Sequence, residues 1–289
     1  MPLGFAGTLS PRRHASFLRK AGLVLAAGLA LAGCSRADRY AALGDSKPHP
    51  GVARAHALPI HGIDVSKWQG RIDWTAVRAS GTQFAFIKAT EGGDHLDARF
   101  HENWAGAREA GVPRGAYHFT YWCRPAHEQA AWFRRNVPAD PDALPPVLDL
   151  EWNNQSRNCP QRVARDVALR NIRILLDAME AHTGKRPIIY TDINFHADIL
   201  VGQLQDYSIW LRSTADEPHI RYNNRRWTMW QYTTTGTVPG IKGAVDRNVF
   251  YGTEAEWAHF LATGCEPRLR SHLEPMGLCG ARALRVAER

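Results

Sequence analysis

The chain lacks the short motifs that mark the commonest metal, serine-nucleophile and nucleotide sites. His101 and His127 are each followed by glutamate, but neither pair has the second histidine of a His-Glu-x-x-His zinc site. There is no Gly-x-Ser-x-Gly segment, which would place a serine nucleophile on a sharp turn. A glycine-rich phosphate loop is absent as well. We therefore expect neither a metal ion nor a cofactor in the functional site.

The chain also lacks an apolar run long enough to span a membrane. Its longest apolar stretch lies near the start. Basic residues between Arg12 and Lys20 precede an apolar stretch from Ala21 to Ala32. This stretch is too short for a membrane-spanning helix, which needs about 20 residues. The order basic, apolar, small is typical of a secretory signal, which we predict over residues 1–33.

The segment that ends at Cys34 resembles a bacterial lipobox. The resemblance implies cleavage before Cys34 and lipid on its sulfur and amine, so that the protein is exported and anchored to a bacterial membrane. Ser35 favours the outer membrane, with the protein facing the periplasm. The alternative is an ordinary signal peptide with an incidental cysteine. Residues 34–58 have little hydrophobic periodicity, and we predict a flexible tether there.

Cysteine is scarce, and its count supports export. The chain has five cysteines: Cys34, Cys123, Cys159, Cys265 and Cys279. If Cys34 carries lipid, an even number remains, as expected for disulfides. The simplest pairing joins Cys123 to Cys159 and Cys265 to Cys279, although three pairings are open. Free buried thiols are the alternative, which is less common in an oxidising compartment.

An excess of positive charge is absent from the body of the chain. The formal net charge of +8 comes from residues 1–58, with 8 Lys/Arg and 2 Asp/Glu, and residues 266–289, with 5 and 3. Residues 59–265 contain 23 of each. A nucleic-acid-binding domain should carry its basic charge on the folded body, so we exclude nucleic acid as a partner.

Residues 59–265 show alternating strand and helix patterns, which are followed by a tail over 266–289. The strand patterns cover Ile60–Val65, Phe84–Ala89, Gly115–Thr120, Pro146–Leu150, Pro187–Thr191, Ser208–Leu211, Thr228–Tyr232 and Val245–Phe250. The helical patterns cover Trp74–Ala79, Ala98–Ala110, Ala126–Asn136, Arg162–Thr183, Ile193–Leu200 and Glu254–Leu261. Alternation predicts a parallel α/β sheet, and eight strands suggest closure into a barrel whose late helices are missing.

Carboxylates fall at the ends of several predicted strands. Asp149 and Glu151 are two residues apart, so they point to the same side of the fourth strand. Asp64 ends the first strand and Asp246 lies at the eighth. In a barrel these ends meet at one mouth, where four crowded carboxylates should raise the pKa of at least one of them. A carboxylate pair is the minimal apparatus for cleaving a glycosidic bond.

Aromatic residues cluster at the same strand ends. They are Trp68, Tyr117, Trp152, Tyr190, Trp210, Trp230 and Tyr232. Aromatic faces beside acids suit a sugar chain, which offers apolar ring faces and hydroxyls. Most of these side chains could equally belong to the core. Their coincidence with the acids favours function for Tyr117, Tyr190 and Trp230.

Five sequence motifs occur in the order of a known family. They are His61–Gly70, Phe86–Gly92, Arg114–Phe119, Leu148–Glu151, and Trp230–Tyr232 together with Val245–Asn248. From about His61 to Ala258 the chain resembles family 25 glycoside hydrolases, the Chalaropsis-type lysozymes. The resemblance implies an irregular TIM-like barrel of eight strands and about five main helices, (β/α)5(β)3. It also implies hydrolysis of the β-1,4 bond between N-acetylmuramic acid and N-acetylglucosamine in peptidoglycan.

The resemblance also implies roles for individual residues. Glu151 would be the general acid and Asp149 its partner carboxylate, while Asp64 and Asp246 complete the acidic ring. The residues implied to contact the substrate are Lys88, Tyr117, Tyr190, Trp230 and Gln231. The chain departs from the commoner pattern after Phe119, where Trp122 and Cys123 are additional.

The spacing of the acid pair leaves the stereochemistry open. Residues i and i+2 lie roughly 6.6 Å apart along a strand, between the roughly 5–5.5 Å of retaining pairs and the roughly 6.5–9.5 Å of inverting pairs. We favour a substrate-assisted route in which the sugar's acetamido group is the nucleophile and Asp149 orients it. The alternatives are a non-catalytic peptidoglycan-binding lipoprotein, or a hydrolase of another N-acetylated glycan such as chitin. We expect a monomer.

Overall fold

A computed structural model describes residues 40–269 together with residues 271 and 275. Its centre is a closed barrel of eight strands, with one short outer strand. The strands are β1 (Ile60–Val65), β2 (Phe84–Glu91), β3 (His95–Leu96), β4 (Arg114–Phe119), β5 (Val147–Leu150), β6 (Ile188–Thr191), β7 (Ser208–Arg212), β8 (Met229–Gly236) and β9 (Val245–Phe250). The outer strand β3 pairs only with β2. The predicted α/β barrel is therefore confirmed.

The strand order around the barrel is β1-β9-β8-β7-β6-β5-β4-β2, and the pairing of β1 with β2 closes it. Neighbouring strands are parallel except for β9, which is antiparallel to both β8 and β1. This reversal differs from the all-parallel sheet that the alternation suggested. Only residues 237–244 separate β8 from β9. A parallel connection needs a dozen or more residues, whereas an antiparallel one can be short.

Helices surround the barrel, and most of them follow the first five barrel strands. They are α1 (Val52–His56), α2 (Trp74–Ala79), α3 (Phe100–Glu109), α4 (Ala126–Asn136), α5 (Arg165–Thr183), α6 (Ile193–Phe195, continued by a π turn over His196–Leu200), α7 (Pro218–Arg221) and α8 (Glu254–Thr263). The longest, α5, buries residues spaced at helical intervals, from Ala168 through Ile172 to Met179. It ends at Gly184, whose φ of 70° is a left-handed cap.

The barrel interior is apolar at its lower end, where the parallel strands begin, and polar at its upper end, where they terminate. Phe84 and Phe86 of β2 fill the lower part, where Gly62 and Gly115 leave room for their rings: a Cβ at either glycine would lie within 2.6 Å of a phenylalanine ring. Trp257 from α8 packs 5.2 Å from the Phe84 ring and closes the lower end. The cavity described below lies at the opposite end, where the parallel strands terminate.

Residues 40–58 do not form the flexible tether that their composition suggested. Tyr40 is almost fully buried, and its hydroxyl donates a 2.9 Å hydrogen bond to the Gly62 carbonyl. The guanidinium of Arg247, buried on β9, donates to the carbonyls of Leu43 and Tyr40. This segment covers a buried charge that composition alone could not reveal, and we call residues 40–58 the N-terminal belt.

The described cysteines agree with the predicted oxidised state. Cys123 and Cys159 form a disulfide with their Cα atoms 5.5 Å apart. Cys265 is disulfide-bonded, whereas Cys34 and Cys279 lie outside the described residues. The Cys265–Cys279 pairing and the lipidation of Cys34 therefore stay predictions. Within residues 40–269, 271 and 275, no helix is long and apolar enough to cross a membrane.

Candidate active site

The four predicted carboxylates meet at the open end of the barrel. Asp64 lies at the end of β1, Asp149 near the end of β5, Glu151 one residue beyond that strand, and Asp246 on β9. All four line one cavity of about 240 Å³. Four other predicted site residues line the same cavity: Lys88, Tyr117, Tyr190 and Gln231. Strand alternation turns these side chains towards the barrel axis, and Asp246 reaches the same end of the barrel because it lies at the start of the antiparallel strand β9.

Gln231 connects two of the acids to an aromatic residue. Its amide nitrogen donates to Asp64 Oδ2 at 2.9 Å and to Asp246 Oδ2 at 3.2 Å. Its amide oxygen accepts a 2.9 Å hydrogen bond from the Tyr190 hydroxyl. Asp64 Oδ2 also accepts from the Asn248 amide at 2.7 Å. These hydrogen bonds hold Asp64 and Asp246 together on one wall of the cavity.

Burial raises the pKa of all four carboxyl groups. The pKa of Asp149 lies well above its ordinary range, because of burial and the charge of Glu151. The pKa of Glu151 is raised by burial and by Asp192, while the guanidinium of Arg212 opposes the shift. Burial and the charge of Asp64 raise the pKa of Asp246 to about 9. The site therefore retains protons at neutral pH, which a general acid requires.

Lys88 is a cation that lines the same cavity as Asp149. It lies on β2, and its charge opposes the rise in the pKa of Asp149. The ammonium donates a 2.6 Å hydrogen bond to Glu91 Oε2 and lies 4.8 Å from the centre of the Phe119 ring. Tyr121 donates to the other oxygen of Glu91. Lys88 is therefore held in place at the cavity wall rather than free in solvent.

Trp230 is the one predicted substrate-contacting residue that the structure places elsewhere. It is fully buried in the layer between strands and helices, where its indole nitrogen donates a 2.7 Å hydrogen bond to the Ser213 carbonyl. Its neighbour Gln231 faces the barrel axis, so the alternation of β8 turns Trp230 to the opposite face. The prediction that Trp230 contacts substrate is therefore wrong, and its role is packing.

Several residues of the site were missed from the sequence. Asn248 was detectable, because it lies two residues after Asp246 on β9 and so shares its face. Its side chain contacts Trp210, which was expected among the aromatic residues at the strand ends. Trp210 lines the cavity, packs edge-to-face 4.7 Å from Tyr190 and donates a 2.9 Å hydrogen bond to Asn248 Oδ1. Arg212 lies two residues after Trp210 on β7, so strand alternation places it on the same face, but no sequence motif marks it as a site residue.

The additional residues after Phe119 hold the strand end that carries Glu151. The Trp122 indole nitrogen donates a 2.7 Å hydrogen bond to the backbone carbonyl of Glu151. Its ring stacks on Phe195 at 4.9 Å, and the next residue, Cys123, is tied to Cys159. This loop positions the backbone of Glu151 from outside the cavity.

An eight-stranded barrel with paired carboxylates at the mouth has the architecture of a glycosidase. Across the part of the chain that the structure describes, no group of three His, Cys, Asp or Glu side chains could hold a metal ion. The chain belongs to glycosyl hydrolases family 25, whose family model matches residues 63–241.

Individual relatives agree with the family match. The chain is 39% identical over 216 residues to the uncharacterized protein YegX of Escherichia coli O157:H7, covering 70% of this chain and 73% of that protein. It is 35% identical over 219 residues to Lysozyme M1 of Streptomyces globisporus, covering 71% and 72%. The family 25 glycosyl hydrolase structure from Bacillus anthracis superposes with a TM-score of 0.67 at 34% identity, covering 74% of this chain and 97% of that one. The protein is therefore a glycosidase.

Replacing Asp246 by asparagine is expected to stabilise the fold at pH 8 and not at pH 4. The unfolded carboxyl ionises above its ordinary pKa of 3.8, whereas the folded one keeps its proton up to about 9. In that window the folded state binds more protons, so stability falls as pH rises. Asparagine does not titrate and can still accept a hydrogen bond from Gln231.

Urea unfolding at pH 4, 6 and 8 measures the difference in the free energy of unfolding between wild type and Asp246→Asn, with Asp142→Asn on an exposed turn as control. Parallel pH profiles for wild type and Asp246→Asn would contradict the expectation.

Proposed function

We propose that the protein is a lysozyme that hydrolyses the β-1,4 bond between N-acetylmuramic acid and N-acetylglucosamine in peptidoglycan. The observation that carries this proposal is the Asp149–Glu151 pair, which shares one cavity with Asp64 and Asp246 and in which burial raises the pKa of Glu151, as a proton donor requires. Lysozymes and muramidases among the relatives support the same substrate.

In the proposed reaction Glu151 is the general acid. It lies one residue beyond the end of β5 and is only partly buried, so its carboxyl can reach a glycosidic oxygen in the open part of the mouth. The bond from the anomeric carbon to the leaving oxygen breaks as Glu151 transfers its proton to that oxygen. Glu151 then takes a proton from the incoming water as general base, which returns it to its starting state.

We propose that the substrate's acetamido oxygen attacks the anomeric carbon and forms a cyclic oxazolinium ion, which water opens with net retention. Asp149 would accept the acetamido N–H and stabilise the positive charge. Asp149 Oδ1 is buried, and no hydrogen-bond partner for it exists among the described residues. A buried carboxylate oxygen without a donor is costly, and a substrate amide would supply the missing donor.

The experiment that tests the function measures reducing ends released from purified peptidoglycan and from chitin. We expect release from peptidoglycan, with N-acetylmuramic acid at the new reducing end, which borohydride converts to N-acetylmuramitol. Greater release from chitin would favour the alternative substrate. Binding to insoluble peptidoglycan with no release of reducing ends would favour a non-catalytic wall-binding protein.

We further propose that the protein is exported as a monomer and anchored through lipid on Cys34 to the outer membrane, facing the periplasm. The basic, apolar and small order of the first 33 residues supports this proposal, as does the Cys123–Cys159 disulfide, which suits an oxidising compartment. Cys34→Ser should abolish palmitate labelling and release the protein from membranes. Unchanged membrane fractionation of this variant would exclude the anchor.

A further inference from the structure

Trp68 is the one strongly exposed tryptophan of the chain. Its exposed fraction is 81%, whereas eight of the other nine tryptophans are buried and Trp132 is partly buried. A tryptophan carries the largest apolar surface of any side chain, so leaving it in water forfeits stabilisation that burial would supply. An exposed indole beside a cavity therefore calls for an explanation in terms of what contacts it.

The backbone that carries Trp68 is rigid. Trp68 lies on a 3-10 turn over Lys67–Gln69, which begins at Ser66 with a reciprocal cap. The Gln69 side chain accepts from the Ser66 backbone N–H at 2.9 Å, and Asp97 Oδ2 accepts from the Lys67 N–H at 3.0 Å. The indole is thus presented on a fixed turn rather than on a mobile loop.

Trp68 lines the same cavity as the catalytic pair. The turn directly follows β1, so Trp68 reaches the mouth from the side of Asp64, across the barrel from β5. Lys67 Nζ lies 5.2 Å from the centre of the indole ring. An aromatic face at the rim, beside a cavity lined by carboxylates and amides, matches the chemistry of a glycan strand, whose rings have one apolar face.

We propose that Trp68 is the stacking platform of a sugar-binding subsite at the rim of the cavity. It would take the apolar face of a pyranose ring that belongs to the same glycan strand as the bond being cleaved. This inference rests on the proposed function, because the ligand is the peptidoglycan glycan. Stacking on a ring face does not discriminate between ring substituents. The subsite therefore adds affinity for a long strand rather than selectivity at the cleaved bond.

The kinetic test compares Trp68→Ala with wild type on peptide-free glycan strands. We expect KM to rise about two- to tenfold with kcat unchanged, since one aromatic contact to the strand is lost while the reacting groups stay in place. Trp68→Tyr should restore most of the loss, whereas Trp68→Leu should not. Ile220→Ala is the matched control, because Ile220 is 59% exposed on α7 and does not line the cavity.

A second readout does not require hydrolysis. In Glu151→Gln protein, glycan strands should protect Trp68 from oxidation by N-bromosuccinimide, which peptide mapping detects at that residue. If the wild-type protein releases no reducing ends but glycan strands still protect Trp68, the subsite is supported and the proposed function fails. Unchanged KM in Trp68→Ala and no protection, in a protein that does cleave peptidoglycan, would overturn the subsite alone.

Discussion

Replacing Glu151 by glutamine is expected to lower kcat on peptidoglycan by roughly 10²–10⁴-fold, the range that a general acid–base group contributes. Glutamine keeps the size of the side chain and can still accept hydrogen bonds, but its amide cannot transfer a proton to the leaving oxygen. The backbone carbonyl of residue 151 would keep its hydrogen bond from Trp122. The measurement is the initial rate of reducing-end release under substrate saturation.

The position of the two acids, rather than their pKa directions, assigns the proton to Glu151. Burial raises the pKa of both Asp149 and Glu151. Asp149 is only 7% exposed and faces inward beside Lys88, whose positive charge favours the carboxylate form. Glu151 is more open and lies beyond the strand end, where a leaving saccharide must depart. The deeper group therefore suits charge stabilisation and the outer group suits proton transfer.

The matched control is Glu102→Gln on α3, which removes a partly exposed carboxylate that pairs with Arg71 and Arg99 and does not line the cavity. This variant should keep the wild-type rate. Both variants should unfold at urea concentrations no lower than wild type, which separates lost chemistry from lost folding. Full lytic rate in Glu151→Gln would show that another group donates the proton.

The sequence was sufficient for those features that depend on local pattern. All eight barrel strands were predicted within a few residues, because each contains β-branched or aromatic residues. The i, i+2 spacing correctly placed Asp149 and Glu151 at one mouth. The same alternation separates Trp230 from Gln231, because neighbouring residues of a strand face opposite sides of the sheet.

The features that escaped prediction depend on contacts between distant parts of the chain. Arg247 is buried only because the N-terminal belt, about 200 residues earlier, supplies the carbonyls of Tyr40 and Leu43. The composition of that belt resembles a linker, although its contacts include the Tyr40–Gly62 hydrogen bond and the buried side chains of Val52 and Ala55. The direction of β9 likewise follows from the short connection after β8, which strand propensity does not encode.

Replacing Asp149 by asparagine is expected to lower kcat by roughly 10²–10³-fold, the range found when one electrostatic stabiliser of a transition state is removed. Asparagine keeps the side-chain shape but loses the negative charge that would face the oxazolinium ion. The substrate's acetamido group remains present as nucleophile. We therefore expect residual activity with the same stereochemical course as wild type.

Proton NMR of the first-formed product distinguishes this role from direct nucleophilic attack by Asp149. Substrate assistance predicts the retained β-anomer from both wild type and Asp149→Asn, and no rate increase when azide is added to Asp149→Gly. If Asp149 were the nucleophile, azide would replace it in Asp149→Gly and yield an inverted glycosyl azide. An inverted product from wild type would exclude both retaining routes, because water would then attack the anomeric carbon directly with Asp149 as its base.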